Sequence, residues 1–201
     1  MLAHYGKQNW WPGETAFEIM VGAVLTQNTN WANVEKAIAN LKNNGCLDFE
    51  IMYAMGEQEL ALMIRSAGYY NLKARRLKNL LQMITDSYDG SIELLSQDDL
   101  HNARANLLAV KGIGPETADS ILLYCCGQPI FVADAYTYRI FSRHNLLDEE
   151  TDYYTIQQTF MDNMEHDAGV FNEYHALIVQ TGKDYCKKGK PVCQGCPLED
   201  L

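Results

Sequence analysis

The sequence predicts an all-α fold. Apolar residues recur at helical spacing along most of the 201-residue chain, and no segment shows the strict alternation that is typical of a half-buried strand. Residues that favour the ends of helices, such as Asn30 and Gly68, separate these segments. A chain of this length is expected to form one domain or two small lobes.

Composition narrows the class of protein. Hydrophobic residues make up 47% of the chain, but no run of 18 apolar residues occurs and no apolar segment follows Met1. We therefore predict neither a membrane span nor a signal peptide. The expected compartment is the reducing cytoplasm, where the six cysteines serve as metal ligands or core residues rather than in disulfides.

The net charge of −10 argues against nucleic acid as a partner, because affinity for phosphate comes largely from Lys and Arg. A local basic face is nevertheless sufficient to bind a duplex. Two groups of basic residues are candidates for such a face, and each is equally consistent with a solvated helix surface. The first group consists of Lys73, Arg75, Arg76 and Lys78. The second consists of Lys183, Lys187, Lys188 and Lys190.

The first predicted elements are an aromatic arm and a buried helix. Trp10 and Trp11 either cover a core or offer a stacking surface to a base. Residues 14–25 are nearly all apolar, which predicts a helix that is buried on all sides. A polar loop follows, and Asn30 is the expected N-cap of a helix with one apolar face.

Two further helices are predicted before the middle of the chain. Residues 57–66 form a short helix that ends at Gly68, a favourable residue for a helix C-terminus. Asn71 is the expected N-cap of the next helix, whose apolar stripe continues to Tyr88. Tyr69 precedes this helix and is either a surface aromatic residue or a stacking surface.

A tight turn joins two helices that are predicted over residues 98–108 and 116–126. Gly112 and Gly114 permit positive φ and close approach of a partner, and Pro115 fits the first position of a helix. Backbone N–H groups converge at such a turn and suit an anion such as phosphate.

Asp134 is a single carboxylate flanked by apolar residues, at the start of a helix predicted over residues 134–144. It is either only an N-cap, which the helix dipole favours, or a reactive group. A phosphate-binding turn followed by a half-buried carboxylate indicates chemistry on the backbone or sugar of a nucleic acid. Helices over residues 152–164 and 170–182 complete the predicted set.

Cys186, Cys193 and Cys196 are separated by six and then two residues, and a proline follows the last. Such spacing, with the proline, is typical of a metal-binding loop. Zinc held by three cysteines and one histidine is one interpretation.

With these motifs the chain resembles the helix-hairpin-helix DNA glycosylases, the endonuclease III superfamily, over nearly its whole length. Residues 112–114 are similar to the hairpin, residues 132–134 to the segment with the catalytic aspartate, and the cysteines to a 4Fe–4S loop. The resemblance implies two lobes with Asp134 in the cleft between them. Residues 17–128 would form the hairpin lobe, and residues 1–16 with 129–201 would form the second lobe.

The resemblance also implies roles for single residues. Gln27 would fill the gap left by an extruded nucleotide, and Tyr69 would wedge into the duplex. The other implied DNA contacts are Lys111, Gly112, Gly114, Lys187 and Lys188, while Trp10 and Trp11 would line the base pocket.

The implied reaction is hydrolysis of the N-glycosidic bond of a flipped base. Asp134 would stabilise the oxocarbenium charge and activate water. Family members that also cut the strand carry a lysine that forms a Schiff base, whereas Glu116 stands at that position here and cannot form an imine. We therefore predict a monomeric, monofunctional enzyme on double-stranded DNA, with weak or absent AP lyase activity.

The substrate implied is an alkylated purine such as 3-methyladenine. Residues 10–12, the Gln27 loop and the hairpin are most similar to the 3-methyladenine DNA glycosylase III branch, and an aromatic pocket suits a cationic base. That branch has a lysine where this chain has Leu177, and it has no iron–sulfur cluster. The chain is therefore intermediate between that branch and the endonuclease III branch. One alternative is a glycosylase for oxidised pyrimidines or for mismatched uracil or thymine. A non-catalytic hairpin DNA-binding module and a helical zinc protein are the others.

The family's cluster has four cysteine ligands, and the fourth would fall at position 202, after Leu201. We predict a 4Fe–4S cluster, with zinc as the alternative metal. The expected location is the cytoplasm, in association with the nucleoid.

Overall fold

The computed structural model describes residues 1–148 and 150–201. These residues contain helices and no β-strand, so the predicted all-α fold is confirmed. In chain order the α-helices are α1 (Leu2–Tyr5), α2 (Ala16–Leu25), α3 (Trp31–Asn43), α4 (Phe49–Ala54), α5 (Glu57–Met63), α6 (Tyr70–Tyr88), α7 (Ile92–Gln97), α8 (Leu100–Ala109), α9 (Pro115–Ser120), α10 (Ala135–Arg143), α11 (Tyr153–Asn163) and α12 (Ala168–Asp184). No helix in the described ranges is both long and apolar enough to cross a bilayer.

The chain divides into two compact units. The hairpin unit comprises Gly13–Gln128, and the terminal unit comprises Met1–Pro12 together with Pro129–Leu201. The sequence pattern did not predict α1, α4 and α7, which have only four to six residues each. Helices this short depend on tertiary packing, because a single turn does not offset the cost of nucleation.

In the hairpin unit, α2 is the buried helix that its composition predicts. It begins two residues later than expected, because the Thr15 hydroxyl caps it by accepting a hydrogen bond from the Glu18 N–H at 3.1 Å. The predicted cap of α3 is confirmed, since the Asn30 side chain accepts from the Asn33 N–H at 3.1 Å.

The start of α6 differs from the prediction. The helix begins at Tyr70, so the prediction of Asn71 as its N-cap was wrong. Tyr69 is the N-cap residue; it has φ of 44°, in the left-handed region, and makes no side-chain capping bond. The preceding Gly68, also at positive φ, confirms the predicted end of the helical segment before it.

The predicted hairpin helices are α8 and α9, and Pro115 occupies the first turn of α9 as expected. α9 continues into a π-helical turn over Ile121–Cys125. Cys125 and Cys126, at the end of this turn, are half-buried.

The terminal unit is built on aromatic packing. Phe131 and Phe171 are fully buried, and the ring of Phe160 stacks on Phe131 with centroids 4.2 Å apart. α10 and α12 approach closely at Gly182, where a Cβ would overlap the ring of Tyr136. This contact aligns the start of α10 with the side chains of α12.

Candidate functional site

Asp134 lies at the N-cap of α10, and its own helix holds it there. Its Oδ1 accepts hydrogen bonds from the N–H of Tyr136 at 2.9 Å, from the N–H of Thr137 at 2.8 Å and from the Thr137 hydroxyl at 3.0 Å. The Asp134 N–H donates to the same hydroxyl at 3.3 Å, which completes a capping box. The helix start therefore fixes the direction in which the carboxylate points.

The second oxygen of this carboxylate faces His175 of α12. Nε2 of His175 is 3.6 Å from Oδ2 of Asp134, and the two side chains are only 6% and 12% exposed. Burial alone would raise the pKa of Asp134, but the His175 side chain and the N–H and hydroxyl of Thr137 outweigh it and hold that pKa below its usual range. Asp134 is therefore an ionised carboxylate at neutral pH in a largely dehydrated position.

Asp152 offers an internal comparison for Asp134. It caps α11 in the same way, with its side chain accepting from the N–H of Tyr154 and from the N–H and hydroxyl of Thr155 at 2.8–3.1 Å. Asp152 is exposed, whereas Asp134 is nearly buried. Capping alone thus accounts for the local bonds of both residues but not for the burial of Asp134 against an imidazole.

The hairpin presents its turn to solvent. Lys111, Gly112, Gly114 and Glu116 are all exposed. Gly112 has φ of 101°, and a Cβ there would overlap the side chain of Arg76, so this position requires glycine on two grounds. The predicted phosphate-binding turn is therefore accessible and has the backbone freedom that such a role requires.

A buried ion pair fastens the two hairpin helices. The Arg104 guanidinium donates from Nε and Nη2 to the two carboxylate oxygens of Asp119, at 2.7 and 2.9 Å. The Asp119 side chain is fully buried. Bidentate geometry of this kind fixes α8 relative to α9 and hence the shape of the turn between them.

Gln27 contacts the hairpin directly. Its Nε2 donates to the Gly112 carbonyl at 3.1 Å and to the Thr117 hydroxyl at 2.9 Å, and its Oε1 accepts from Nη1 of Arg76. Both the oxygen and the nitrogen of the Gln27 amide are therefore hydrogen-bonded. Gln27 lies in the predicted polar loop, 85 positions before Gly112 in the chain. Two of the predicted DNA contacts, Gln27 and the hairpin, form one cluster in the hairpin unit.

The first predicted basic face is largely internal, so that prediction was wrong. Lys73 is 1% exposed and donates to the carbonyls of Leu25 and Ala67 at 2.8 Å and to the Thr29 hydroxyl at 2.7 Å. Burial, with a smaller effect from the nearby Arg76 charge, lowers the pKa of Lys73 to about 8. Lys78 donates to three carbonyls at the end of α4, which leaves Arg75 as the exposed member of the group.

Tyr69 is the most exposed large hydrophobic side chain in the described ranges, at 73%. Its backbone is in the left-handed region, at the end of the tight connection before α6. The Ala67 carbonyl, two residues earlier, is one of the acceptors of Lys73. Lys73 thus joins the segment with Tyr69 to the loop with Gln27.

Trp10 and Trp11 lie in the terminal unit, half-buried, with ring centroids 5.7 Å apart in an edge-to-face arrangement. The Lys183 ammonium lies 5.2 Å from the centroid of the Trp10 ring. The Trp10 ring therefore makes a cation–π contact with Lys183.

The three predicted metal ligands line one cavity of about 300 Å³. Cys186 is buried, Cys196 is half-buried and Cys193 is exposed, and His144 lines the same cavity. Within residues 1–148 and 150–201, however, no group of three or more His, Cys, Asp or Glu side chains is arranged to hold a metal ion. The donor types suit a cluster or zinc, but their present arrangement does not form a closed site.

Arg143 of α10 organises the segment between the cysteines. Its Nη1 donates to Sγ of Cys186 at 3.2 Å and to the Lys187 carbonyl at 2.7 Å, and its Nη2 donates to the Lys188 carbonyl at 3.1 Å. Lys187 and Lys188 remain exposed.

His175 is the site residue that the sequence did not reveal. It is 41 positions from Asp134, on a helix that carries other polar residues such as Asn172 and Glu173, so no pattern in the sequence distinguishes it. Thr137, the residue three positions after Asp134, could have been found as half of a capping box.

The fold and these features define a helix-hairpin-helix protein with an ionised carboxylate at the start of the helix that follows. The model of the HhH-GPD superfamily of base excision DNA repair proteins matches residues 21–166, and the chain belongs to this family. It is a DNA glycosylase family. The predicted relationship to helix-hairpin-helix glycosylases is thereby confirmed.

Individual relatives agree with this placement. A Methanocaldococcus jannaschii protein with the provisional name DNA repair glycosylase is 47% identical over 202 residues, covering all of this chain and 91% of its own. The crystal structure of H. pylori 3-methyladenine DNA glycosylase bound to 1,N6-ethenoadenine matches with a TM-score of 0.78 and 33% identity, over 87% of each chain. A complex of endonuclease III with DNA has the same fold, with a TM-score of 0.81 at 24% identity over 96% of this chain and 85% of the other.

Proposed function

We propose that this protein is a monofunctional DNA glycosylase that uses Asp134 to hydrolyse the N-glycosidic bond of a flipped, damaged base. The observation that carries the proposal is the position of Asp134: its side chain is only 12% exposed, three donors hold Oδ1, and Oδ2 lies 3.6 Å from His175 Nε2. A pure DNA-binding module would need such a group only as a helix cap, and a cap can be exposed, as Asp152 is. A buried carboxylate whose charge is stabilised by donors from its surroundings is typical of a reactive site.

The proposed mechanism uses the carboxylate in two ways. Departure of the base leaves positive charge on the sugar, and a fixed negative charge in a dehydrated position stabilises it more strongly than water would. The same carboxylate orients the attacking water and accepts its proton. The three hydrogen bonds to Oδ1 hold the group in place beforehand, so that little reorganisation is needed during the reaction.

Glu116 supports the monofunctional assignment. It is exposed beside the turn, at the position where strand-cutting relatives carry a lysine, and a carboxylate cannot form a Schiff base with the opened sugar. Lys111, on the other side of the turn, serves phosphate contact in this proposal. Weak or absent AP lyase activity follows.

We propose an alkylated purine as the substrate. The similarity to 3-methyladenine DNA glycosylase supports this class, as does the half-buried pair of indoles that would line the base pocket, Trp10 and Trp11. A cationic base leaves readily and is attracted by indole faces. The second candidate is an oxidised pyrimidine or a mismatched uracil or thymine, which the fold shared with endonuclease III supports.

Three labelled duplexes test the function and the substrate together. They carry 3-methyladenine, thymine glycol and uracil opposite guanine, and each reaction is divided into samples with and without alkali. We expect release of the methylated base and strand breaks only after alkali treatment. Strand breaks without alkali would overturn the monofunctional assignment. Clear DNA binding with no base released from any duplex would favour the non-catalytic module.

The proposed partner is double-stranded DNA. Exposed Tyr69, the tethered Gln27, the hairpin with Lys111, Gly112 and Gly114, and the exposed Lys187 and Lys188 would contact double-stranded DNA. The hairpin unit and the terminal unit would act as the two lobes. The protein would work as a monomer in the cytoplasm, associated with the nucleoid.

We also propose that Cys186, Cys193 and Cys196 hold a 4Fe–4S cluster, with zinc as the alternative. The cavity that the three cysteines share supports ligation there. A bound cluster would supply a rigid scaffold for the loop with Lys187 and Lys188.

Metal analysis of the purified protein tests this proposal. We expect iron and acid-labile sulfide in the natural chain and broad visible absorbance, all lost in Cys193→Ser. Cys46→Ala is the matched control, because Cys46 lies in the hairpin unit and outside the cavity, and this variant should retain its iron. Zinc without iron would select the alternative, and a protein without either metal would contradict both.

A further inference from the structure

We propose that His175 is a positioning residue for Asp134. The His175 side chain holds Oδ2 of Asp134 in place and keeps the carboxylate in its charged form. This inference rests on the proposed catalytic role of Asp134. It assigns the proposed site to two separate helices rather than to the start of α10 alone.

The two carboxylate oxygens of Asp134 contact different helices. Oδ1 is engaged by three donors of α10, all from residues within three positions of Asp134. Oδ2 faces His175 Nε2 at 3.6 Å, from α12. Oδ2 is therefore the oxygen whose surroundings the capping box does not determine.

His175 is itself held by its surroundings. Its ring meets Phe131 edge-on, with centroids 6.4 Å apart, and only 5% of the residue is exposed. Tyr174, the adjacent residue on α12, has a pKa raised by burial, so it contributes no negative charge here at neutral pH. His175 is the ionisable group that faces Asp134 from α12, while Thr137 faces it from α10.

The comparison with Asp152 shows what His175 adds. Asp152 has the same set of capping donors but is exposed, so water can solvate its charge. Asp134 has little access to water, and without His175 the effect of burial would be opposed only by the donors of its own helix, from Tyr136 and Thr137. The carboxylate would then bind a proton at a higher pH and lose the charge on which the proposed mechanism depends.

The sign of the effect follows from the direction of the shift. The pKa of Asp134 lies below its usual range, and removal of the His175 donor raises it. The acid limb of the base-release rate marks protonation of Asp134, so this limb should move to higher pH in a variant without the donor. A purely structural role of His175 would lower the rate by the same factor at every pH.

The test is the pH profile of single-turnover base release by the full-length protein, for the natural chain and for His175→Phe, His175→Asn and His101→Asn. Phenylalanine retains a ring without a donor, and asparagine retains a donor without the ring. We expect His175→Phe to be slower by roughly tenfold to a hundredfold at the acid end, because loss of the contact with His175 leaves more of the Asp134 carboxylate protonated there. The difference should narrow at alkaline pH, and His175→Asn should lie between. His101 is exposed on α8, and its substitution should leave the profile unchanged.

The possible results distinguish failure of the proposed role of His175 from failure of the proposed glycosylase function. No base release by the natural chain on any duplex would contradict the proposed function. An active natural chain whose acid limb stays in place in both His175 variants would overturn the role of His175 alone. Thermal unfolding of each variant identifies loss of folding, and a folded His175→Asn keeps the inference testable where His175→Phe does not fold.

Discussion

Substitution of Asp134 by Asn is expected to lower the rate of base release by roughly 10²–10⁴-fold while leaving the fold intact. Asparagine caps a helix about as well as aspartate, because its carbonyl oxygen can accept the same hydrogen bonds from Tyr136 and Thr137. What the substitution removes is the negative charge that the proposed mechanism places beside the reacting sugar. The measurement is single-turnover release of the labelled base, accompanied by DNA affinity and thermal unfolding.

Asp152→Asn is the matched control for this experiment. It removes the charge of an N-cap aspartate with the same local hydrogen bonds, in the same unit but in an exposed position. We expect full activity from Asp152→Asn. An Asp134→Asn protein that releases base at the natural rate would remove the foundation of the proposed mechanism, whereas equal losses in both variants would indicate an effect of helix capping.

Substitution of Arg104 by Met is expected to lower the free energy of unfolding by about 3–5 kcal/mol. Asp119 is fully buried, and loss of the guanidinium leaves its carboxylate without the ion pair that joins α8 to α9. Methionine has a similar length and keeps much of the apolar packing of the Arg104 stem. Denaturant unfolding measures the difference, and a looser hairpin should also weaken DNA binding.

Arg75→Met provides the control for the loss of an arginine ion pair. Arg75 and Glu57 are 3.2 Å apart, and both side chains are substantially exposed. Such a pair contributes about 0–1 kcal/mol, because solvent screens it and two mobile side chains must be ordered. Equal destabilisation by Arg104→Met and Arg75→Met would show that the hairpin does not depend on the buried pair. The double variant Arg104→Met/Asp119→Leu should recover part of the loss, since it leaves no unpaired buried charge.

The sequence was most informative where one short segment decides the structure. Asn30 as a cap, Pro115 in the first turn of α9 and Asp134 at the start of α10 each depend on bonds within three or four residues. One local prediction failed for a local reason: Asn71 is not the N-cap, because Tyr69, in the left-handed conformation, takes that place and α6 starts two residues earlier than predicted. The family also followed from the sequence, since its hairpin, aspartate and cysteine spacings are local patterns.

What the sequence by itself determined is the all-α class, most helix boundaries and the family. Only the tertiary structure decided how its charged groups are used. Lys73 belongs to a basic run in the sequence, yet it is buried because carbonyls from Leu25 and Ala67 converge on its ammonium group. His175 faces Asp134 only because α12 packs on α10 at Gly182. Charge and burial depend on partners distant in the chain, and such partners leave no periodic pattern from which they could be predicted.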